Sequence, residues 1–439
     1  MSTKELINKK IAILGSGKEG LSTLKFLKKN KIKADILDVK FDKNYTNRLK
    51  NYDIVFRTPG FPRLHPALVD AEKNGVIISS HIKLFFDLCP ARVIGITGTK
   101  GKTTTAFLIY NILKSKFGKN VFIAGNFGEP ALEILPKLNN KSLVILELSS
   151  FQLQDLHKSP QVAVITNITL DHLDPIGQFR PNTHQTAKEY IEAKLNIIRY
   201  QKNNDFAVIH PSLKKGTINA GKGKKIFPTP LPLEIPIGKA NRGSSISQSD
   251  IGTKLKGPHN LENIALAVEV GKIFKVPKEK MLKAVQNFKG IEHRLEFVKK
   301  INGISFYNDS AATNPDATLA ALKSFKEPTH LILGGFDKGL DYKNLAGYIS
   351  RSKNIKTIAL IGQLKEKLYR ILKPKSKLKI KKFKSLKDTV LTLYKKADKN
   401  EVVLLSPGAA SFDMFSGYAQ RGREFKKIVK QLKGADDVT

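Results

Sequence analysis

The chain of 439 residues has no tryptophan and only one cysteine, Cys89. A single cysteine excludes an intrachain disulfide and a zinc cluster built from thiolates. No apolar run approaches the ~20 residues that a membrane-spanning helix needs, and the first residues lack the apolar stretch of a signal peptide. We therefore expect a cytoplasmic protein with no segment inserted in a membrane.

Acidic residues are also scarce, since 38 Asp and Glu stand against 76 Lys and Arg and give a formal net charge of +38. Such a charge is compatible with nucleic-acid binding. The basic residues are mostly lysines spread along the whole chain, and no zinc-finger spacing, basic zipper or aromatic-basic RNA-binding motif occurs. We interpret the charge mainly as a lysine-rich solvated surface, with anionic substrates and incidental polyanion binding as alternatives, and expect no specific nucleic-acid partner.

Short apolar runs alternate with amphipathic segments in three successive series, a pattern typical of parallel α/β sheets. We predict three α/β domains: a Rossmann-like domain at 1–88, a central P-loop ATPase domain at 89–290 and a C-terminal Rossmann-like domain at 291–439. Within the second, 211–258 is predicted to be irregular because it is rich in Lys, Gly and Pro. Predicted strands are 10–14, 34–39, 52–57, 75–78, 92–97, 120–124, 142–148, 161–166, 205–209, 304–307, 329–333, 357–361 and 402–405, and predicted helices include 19–30, 66–73, 259–274 and 278–288.

A glycine-rich loop lies between the predicted strand 92–97 and a predicted helix of about fifteen residues. Backbone N–H groups in such a loop and at a helix N terminus bind phosphates. Lys102 is expected to reach the outer phosphates of ATP, and the Thr103 hydroxyl to ligate Mg²⁺. The usual first glycine is Ile96 here, so a glycine turn without function remains the alternative. The loop consists of Gly98, Thr99, Lys100, Gly101, Lys102, Thr103 and Thr104.

Polar residues follow two other predicted strands of the same sheet. Glu147 ends one strand, and His172 lies in the polar loop after the next. Ligands collect at the carboxyl ends of parallel strands, where a carboxylate suits a magnesium ion that bridges ATP phosphates. His172 could supply a second metal ligand or orient an acyl group. Alone, each would be interpreted as an ordinary surface glutamate or a structural histidine.

A G-x-G-x-x-G pattern occupies 15–20, after the first predicted strand, and Asp38 closes the second strand. The pattern is compatible with a nicotinamide dinucleotide fold. Because a phosphate loop follows downstream, we favour a site for the diphosphate of another nucleotide. Tight packing of helix against strand is the alternative without a ligand.

Further motifs occur in order along nearly the whole chain. They lie at 15–22, 58–60, 98–104, 125–128, 147–152, 171–174, 192–195, 259–260, 292–294, 308–310, 337–339 and 405–407. Together they resemble the Mur ligases of peptidoglycan assembly. The resemblance implies an ADP-forming amide ligase that adds D-glutamate to UDP-N-acetylmuramoyl-L-alanine through an acyl phosphate. Cell-wall biogenesis, cell shape and cell division would depend on this reaction.

The resemblance also implies the cofactors and the site residues. ATP, Mg²⁺ and carbon dioxide would be needed, the last as a carbamate on Lys194, which turns an ammonium into an anionic metal ligand. The UDP-linked muramoyl precursor and glutamate would be the substrates of a monomer. The implied catalytic residues are Lys102, His172 and Lys194, and the implied metal ligands are Thr103, Glu147, His172 and Lys194. ATP would also contact Asn260, Asn263, Arg294 and Asp309; the UDP substrate Gly15, Ser16, Asp38, Asn126 and Ser149; and the amino acid Thr313, Lys338, Ser411, Phe412 and Tyr418.

Three departures from the family pattern leave alternatives open. The family lysine after Asn-Asp-Ser is Ala311 here, an aromatic position usually held by Phe is Tyr418, and 180–186 look inserted, so that Lys188 competes with Lys194 as the modified lysine. A sister ligase or a folyl-polyglutamate synthetase-like enzyme with another amino acid or acceptor is the nearest alternative. A polyanion-binding protein with a degenerate ATPase fold and a nicotinamide-linked dehydrogenase are alternatives of other classes.

Overall fold

The computed structural model describes residues 1–169, 173, 183–213, 220–228, 252–253, 255, 259–373 and 378–433. The chain divides into two compact units, Met1–Thr253 with Pro258–Phe288 and Lys254–Gly257 with Lys289–Thr439. The described residues form two sheets in the first unit and one in the second. The predicted α/β class with three sheets is therefore confirmed, whereas the exact domain boundaries remain predictions.

Both sheets of the first unit are parallel throughout. The strand orders are β2-β1-β3-β4 and β10-β9-β8-β5-β7-β6. The strands are β1 (Ile11–Leu14), β2 (Asp35–Leu37), β3 (Ile54–Arg57), β4 (Ile77–Ser80), β5 (Arg92–Thr97), β6 (Val121–Gly125), β7 (Leu143–Glu147), β8 (Val162–Ile165), β9 (Phe206–Ile209) and β10 (Lys224–Ile226). The helices are α1 (Lys18–Lys29), α2 (Pro66–Lys73), α3 (His81–Leu88), α4 (Lys102–Phe117), α5 (Ala131–Ile134), α6 (Ser150–Leu153), α7 (Ala187–Arg199), α8 (His259–Ile273) and α9 (Lys278–Asn287). Short 3-10 helices lie at Lys4–Leu6, Tyr45–Asn51, Gly118–Asn120, Leu135–Lys137 and Pro211–Leu213.

The sheet of the second unit has the order β11-β12-β16-β13-β14-β15, in which only β11 runs antiparallel to its neighbour among the described strands. The strands are β11 (Glu296–Ile301), β12 (Ile304–Asn308), β13 (Thr329–Gly334), β14 (Ile355–Ile361), β15 (Lys379–Lys382) and β16 (Val402–Leu405). The helices are α10 (Pro315–Leu322), α11 (Lys343–Arg351), α12 (Lys365–Leu372), α13 (Leu386–Tyr394) and α14 (Tyr418–Gln431).

The central strands consist almost entirely of buried apolar residues. Every residue of β1, β7 and β8 is buried, as expected for parallel strands that are covered on both faces. One cluster of buried side chains includes Ile13 and Phe56 from the first sheet and Val144 from the second. The two sheets of the first unit therefore share one apolar core.

Five elements differ from the sequence-based predictions. The prediction of irregular structure across 211–258 is wrong at β10, which pairs in parallel with β9. The fourth strand was predicted at 75–78, two residues before β4. The helix α3, whose N terminus is capped by Ser80 at the end of β4, was not predicted. The edge strands β11 and β15 were likewise not predicted.

Among the described residues, no helix is long and apolar enough to cross a membrane.

Candidate active site

The loop between β5 and α4 has the backbone of a phosphate-binding turn. Gly98 and Gly101 have φ angles of 147° and 83°, which L side chains rarely adopt. A Cβ atom at Gly98 would lie 2.0 Å from Oγ1 of Thr166, and one at Gly101 would lie 2.4 Å from Oδ1 of Asn263. Glycine is therefore required at both positions, and α4 begins directly after the turn.

Lys102 folds back over this loop. Its Nζ donates to the carbonyl oxygens of Gly98 and Thr99, both at 3.0 Å. Thr103 is buried in the first turn of α4, Thr104 is half-buried and Lys100 is exposed. The ammonium group thus lies on the loop whose N–H groups would hold phosphates.

A cavity of about 210 Å³ opens beside this loop, and we call it the loop cavity. It brings together six predicted site residues, namely Gly98, Thr99, Lys102, Asn126, Ser149 and Lys194. Ser149 was predicted to contact the UDP-linked substrate, and the structure places it in this cavity. The lining residues are Pro59, Gly98, Thr99, Lys102, Asn126, Ser149, Ser150, Phe151, Tyr190 and Lys194.

Glu147, the last residue of β7, carries an unsatisfied buried oxygen. The side chain is 3% exposed; Oε1 accepts a hydrogen bond from Nδ2 of Asn126 at 3.0 Å, and Oε2 has no hydrogen-bond partner among the described residues. An unpaired buried carboxylate oxygen is costly, and a hard divalent cation would satisfy it. Glu147 therefore fits Mg²⁺. His172 lies outside the described residues. Among the residues that the structure describes, no group of three or more His, Cys, Asp or Glu side chains is arranged to hold a metal ion.

We expect Glu147→Gln to raise the Mg²⁺ concentration needed for half-maximal ADP release on the order of 10–100-fold. The amide can still accept the hydrogen bond from Asn126, so thermal stability should not fall. A Mg²⁺ titration of ADP release and a melting curve check both effects. Glu129→Gln, at an exposed position before α5, is the matched control. An unchanged Mg²⁺ requirement would remove Glu147 from the metal site.

Lys194, on α7, has the environment expected of a functional lysine. It is 3% exposed, its Nζ donates to the carbonyl oxygen of Gly98 at 2.8 Å and lies 4.6 Å from the centre of the Tyr190 ring. Lys188, the alternative, is exposed. This placement favours Lys194 over Lys188, and its carbamylation remains a prediction.

A larger pocket of about 810 Å³ lies at the carboxyl ends of the first sheet's strands. Gly15 has a φ of 105°, and a Cβ atom there would lie 2.3 Å from Oγ1 of Thr58. The N–H groups of Ser16 and Lys40 donate to Asp38 at 2.6 and 3.0 Å. Although burial acts to raise the pKa of Asp38, these donors hold it below its usual value. The predicted residues Gly15, Ser16, Asp38 and Asn126 all line this pocket.

The short helix α6 connects this pocket to the loop cavity. The Ser149 side chain accepts a hydrogen bond from the Gln152 N–H at 3.2 Å, and the Gln152 amide donates to Glu19. Burial raises the pKa of Glu19 to about 7. Arg57, fully buried at the end of β3, donates to the carbonyl oxygen of Phe151 at 2.7 Å. Sequence reasoning assigned no role to Glu19 or Arg57.

Asn263 of α8 packs against Gly101 of the phosphate-binding loop and is hydrogen-bonded to Asn260 on the same helix. Nδ2 of Asn263 donates to Oδ1 of Asn260 at 3.1 Å, and Oδ1 of Asn263 accepts from the Thr105 hydroxyl at 3.2 Å. Both amides are buried. Of the two residues predicted to approach adenine, the structure thus places Asn263 beside the loop predicted to hold the phosphates, and Asn260 next to Asn263.

In the second unit, Asp309 follows β12 and is buried. Its Oδ2 accepts from the Ser406 hydroxyl at 2.7 Å and its Oδ1 from the Leu295 N–H at 3.1 Å. Burial outweighs these hydrogen bonds and raises the pKa of Asp309 to about 7. Arg294, also predicted to contact ATP, is exposed and acts to lower the same pKa.

The raised pKa of Asp309 predicts a stability that depends on pH. The native state holds this proton up to about pH 7, whereas the unfolded chain releases it near 3.8. The Asp309 contribution to the free energy of unfolding therefore falls as pH rises between these values and is constant above. Asp309→Asn should remove this fall, so its stability relative to the parent should rise by up to roughly 3 kcal/mol from pH 5 to pH 8. Denaturant titrations of both proteins at several pH values measure their free energies of unfolding. A difference between the two that does not change with pH would contradict the prediction.

The residues predicted to bind the amino acid lie on loops of the second unit and at the start of α14. Phe412 is 64% exposed, and Nζ of Lys338 lies 5.6 Å from the centre of its ring. Ser411 is buried, and its Oγ has no hydrogen-bond partner among the described residues. Tyr418 is partly exposed and Thr313 half-buried. A cation, an aromatic face and an unsatisfied hydroxyl could together hold an anionic amino acid.

Arg421 fastens two loops of this region. Its side chain is fully buried and donates to Oγ and to the carbonyl oxygen of Ser310, both at 2.9 Å. It also donates to the carbonyl oxygens of Ala409 and Ala410, at 3.0 and 3.3 Å. Burial lowers the pKa of Arg421 to about 10. The guanidinium therefore fixes the segment after β12 to the segment before Ser411.

Comparisons with known proteins identify relatives of this chain. The family models for the Mur ligase middle domain and for the Mur ligase glutamate ligase domain match residues 96–230 and 293–408. The UDP-N-acetylmuramoylalanine--D-glutamate ligases of Acetivibrio thermocellus and Clostridium tetani are 36% and 35% identical over 470 and 462 residues, each covering 98% of both chains.

Solved structures show the same fold. The UDP-N-acetylmuramate-alanine ligase of Thermotoga maritima aligns with a TM-score of 0.57 at 17% identity and covers 97% of this chain and 100% of its own. The MurF ligase of Thermotoga maritima in complex with ADP aligns with a TM-score of 0.56 at 20% identity and covers 98% and 97%.

Proposed function

Because the chain belongs to the Mur ligase family, we propose that it joins D-glutamate to UDP-N-acetylmuramoyl-L-alanine with conversion of ATP to ADP and phosphate. The observation that carries this proposal is the adjacency of two pockets. The large pocket and the loop cavity share Pro59 and Asn126. A precursor whose UDP moiety occupies the large pocket can therefore extend its carboxylate into the cavity beside Lys102.

The first chemical step is phosphoryl transfer to that carboxylate. The carboxylate oxygen attacks the γ-phosphorus of ATP, ADP leaves, and an acyl phosphate forms. Two anions must meet, so positive charge is needed where they approach. The Lys102 ammonium and the backbone N–H groups of the loop supply it on the phosphate side.

Thr103, Glu147 and the carbamate of Lys194 would hold Mg²⁺, with His172 as a further ligand. When bound, the ion supplies Lewis-acid stabilisation to the transferring phosphoryl group. The unsatisfied Oε2 of Glu147 is the feature that supports this assignment. An unmodified Lys194 ammonium could not ligate a cation, which is why the proposal requires carbon dioxide.

The second step forms the amide. The amino nitrogen of D-glutamate attacks the acyl carbon, phosphate leaves, and the nitrogen loses its remaining extra proton. Lys338 would pair with a carboxylate of the amino acid, and Ser411, Phe412, Tyr418 and Thr313 would complete its binding site. Asn260, Asn263, Arg294 and Asp309 would contact ATP.

The substrates also indicate where the enzyme works. ATP and UDP-linked precursors are cytoplasmic metabolites, so we place the protein in the cytoplasm as a monomer that contributes to cell-wall synthesis, cell shape and cell division. The net charge of +38 is compatible with this role because every substrate is anionic.

The deciding experiment measures phosphate release from ATP for a matrix of acceptors and amino acids with Mg²⁺ and bicarbonate. UDP-N-acetylmuramoyl-L-alanine with D-glutamate should release phosphate and yield a new amide. L-Glutamate, L-alanine, diaminopimelate and folates should not. Activity with another amino acid alone would favour a sister ligase, an alternative that Ala311 in place of the family lysine keeps relevant.

A further inference from the structure

A buried histidine lies directly behind the wall of the loop cavity. Ser150 lines this cavity, and its Oγ is 2.9 Å from Nε2 of His184. The imidazole is fully buried, stacks on the Phe151 ring at 4.5 Å with an interplanar angle of 12°, and meets the edge of Tyr190 at 5.4 Å. Aromatic contacts from α6 and α7 thus fix the plane of the ring.

The other ring nitrogen faces a carboxylate. Nδ1 of His184 lies 3.4 Å from Oε1 of Glu189, beyond the usual hydrogen-bond distance and within the range of a charge pair. Glu189 is held by the Gln185 N–H at 2.7 Å and by the Gln154 amide. Burial acts to raise the pKa of Glu189, but His184 and Gln185 hold it below its usual value. An ionised carboxylate therefore faces the imidazole.

A hydroxyl, an imidazole and a carboxylate in this order can move a proton from the hydroxyl to the imidazole. The ligation described above has a proton to move, because the amino acid arrives with an ammonium group that cannot attack a carbonyl carbon. If the Ser150 hydroxyl accepts this proton, Lys102 and the Lys194 carbamate remain available for the phosphates and the metal ion.

We propose that Ser150, His184 and Glu189 form a relay that takes the proton of the incoming ammonium group, an inference that rests on the proposed ligase function. An N–H bond of the ammonium breaks as its proton passes to Oγ of Ser150. The original hydroxyl proton passes to Nε2 of His184, and Glu189 stabilises the imidazolium. The neutral amine attacks the acyl carbon, the bond from that carbon to the phosphate oxygen breaks, and the second proton of the nitrogen leaves with the phosphate as hydrogen phosphate. His184 and Glu189 act through Ser150 and are positioning residues.

The test compares two acceptors in the full-length enzyme. Hydroxylamine is largely unprotonated at neutral pH and needs no removal of an ammonium proton before it attacks an acyl phosphate. His184→Gln should lower kcat with D-glutamate on the order of 10²-fold at pH 7, without a change in KM for ATP or precursor. Hydroxamate formation with hydroxylamine should stay within about twofold of the parent.

Matched variants separate the relay from a structural role. His157→Gln, at an exposed histidine on the same unit, should leave both acceptors unaffected. If His184→Gln is unfolded by circular dichroism, Glu189→Gln replaces it, and it should show the same selective loss with D-glutamate.

Equal losses with both acceptors, or no loss with either, would overturn the relay. A parent enzyme that forms ADP with hydroxylamine but never with an amino acid would instead contradict the proposed ligase function.

Discussion

Lys102→Ala should lower ADP-dependent ligation on the order of 10³-fold while the protein stays folded. The Lys102 ammonium donates hydrogen bonds to carbonyl oxygens of its own loop, at Gly98 and Thr99. These are the positions from which it can turn to the outer phosphates of ATP. Removing one preorganised charge from such a site costs on the order of 10²–10³ in rate, and repulsion between the two reacting anions adds to the loss.

Phosphate release with saturating precursor and D-glutamate measures this effect. Lys114→Ala is the matched control, because Lys114 lies on the same helix α4, is exposed, and donates to the Tyr110 hydroxyl at 3.0 Å. It should retain activity within about twofold. A Lys102→Ala enzyme with parental activity would show that the loop does not bind the reacting phosphates.

Arg421→Met should destabilise the second unit by about 3–5 kcal/mol. The substitution keeps most of the side-chain volume but leaves buried acceptors of Ser310, Ala409 and Ala410 without their donor. Each unsatisfied buried group costs about 1–3 kcal/mol, and the values are not additive. The loss is expected to be local to the second unit, because all of these acceptors lie in it.

Hydrogen exchange followed peptide by peptide measures this effect without a tryptophan probe, which the chain lacks. Protection should fall in peptides of β12 and β16 and remain unchanged in β5 and β7. Arg423→Met, at an exposed position of the same helix α14, should change stability by less than about 0.5 kcal/mol. Uniform loss of protection across both units would argue against the local role assigned to Arg421.

Elements with strong local signals were predicted well. The bounds of α2, β5 and β16 agree with the sequence-based predictions, because Pro66 begins the helix and Gly98 and Pro407 follow the strands closely. Proline and glycine mark such ends by their restricted or permissive backbones. The long buried strands of the parallel sheets were equally clear.

Edge strands were missed for a physical reason. β15 has the sequence Lys-Ile-Lys-Lys and β10 Lys-Lys-Ile, each with a single apolar residue. Lysines at an exposed edge oppose pairing with other chains, and they also remove the apolar pattern by which a strand is predicted. Pairing with β14 and β9 forms these strands, and sequence alone does not reveal such a partner.

In the candidate site, residues that belong to local sequence motifs were predicted, whereas a residue that depends on distant contacts was not. Lys102, Asn126, Ser149 and Lys194 lie in recognisable motifs, and the structure brings them into one cavity. His184 carries no motif, because its role depends on contacts with Ser150, 34 residues earlier in the chain. A single histidine in a polar segment gives no indication of such a partner until the chain is folded.

The ties that α6 makes to the first sheet limit how this enzyme can be recombined with its relatives. Arg57 reaches Phe151 and Asp155, and Gln152 reaches Glu19, so these contacts cross any junction placed near residue 88. A hybrid that took its first 88 residues from a homologue would have to inherit a compatible 151–155 segment as well. Otherwise the buried guanidinium of Arg57 or the buried carboxylate of Asp155 would lose its partner in the hybrid, which is strongly destabilising. Chimeras of this fold should therefore exchange all residues that contact one another together, even where they are far apart in the sequence.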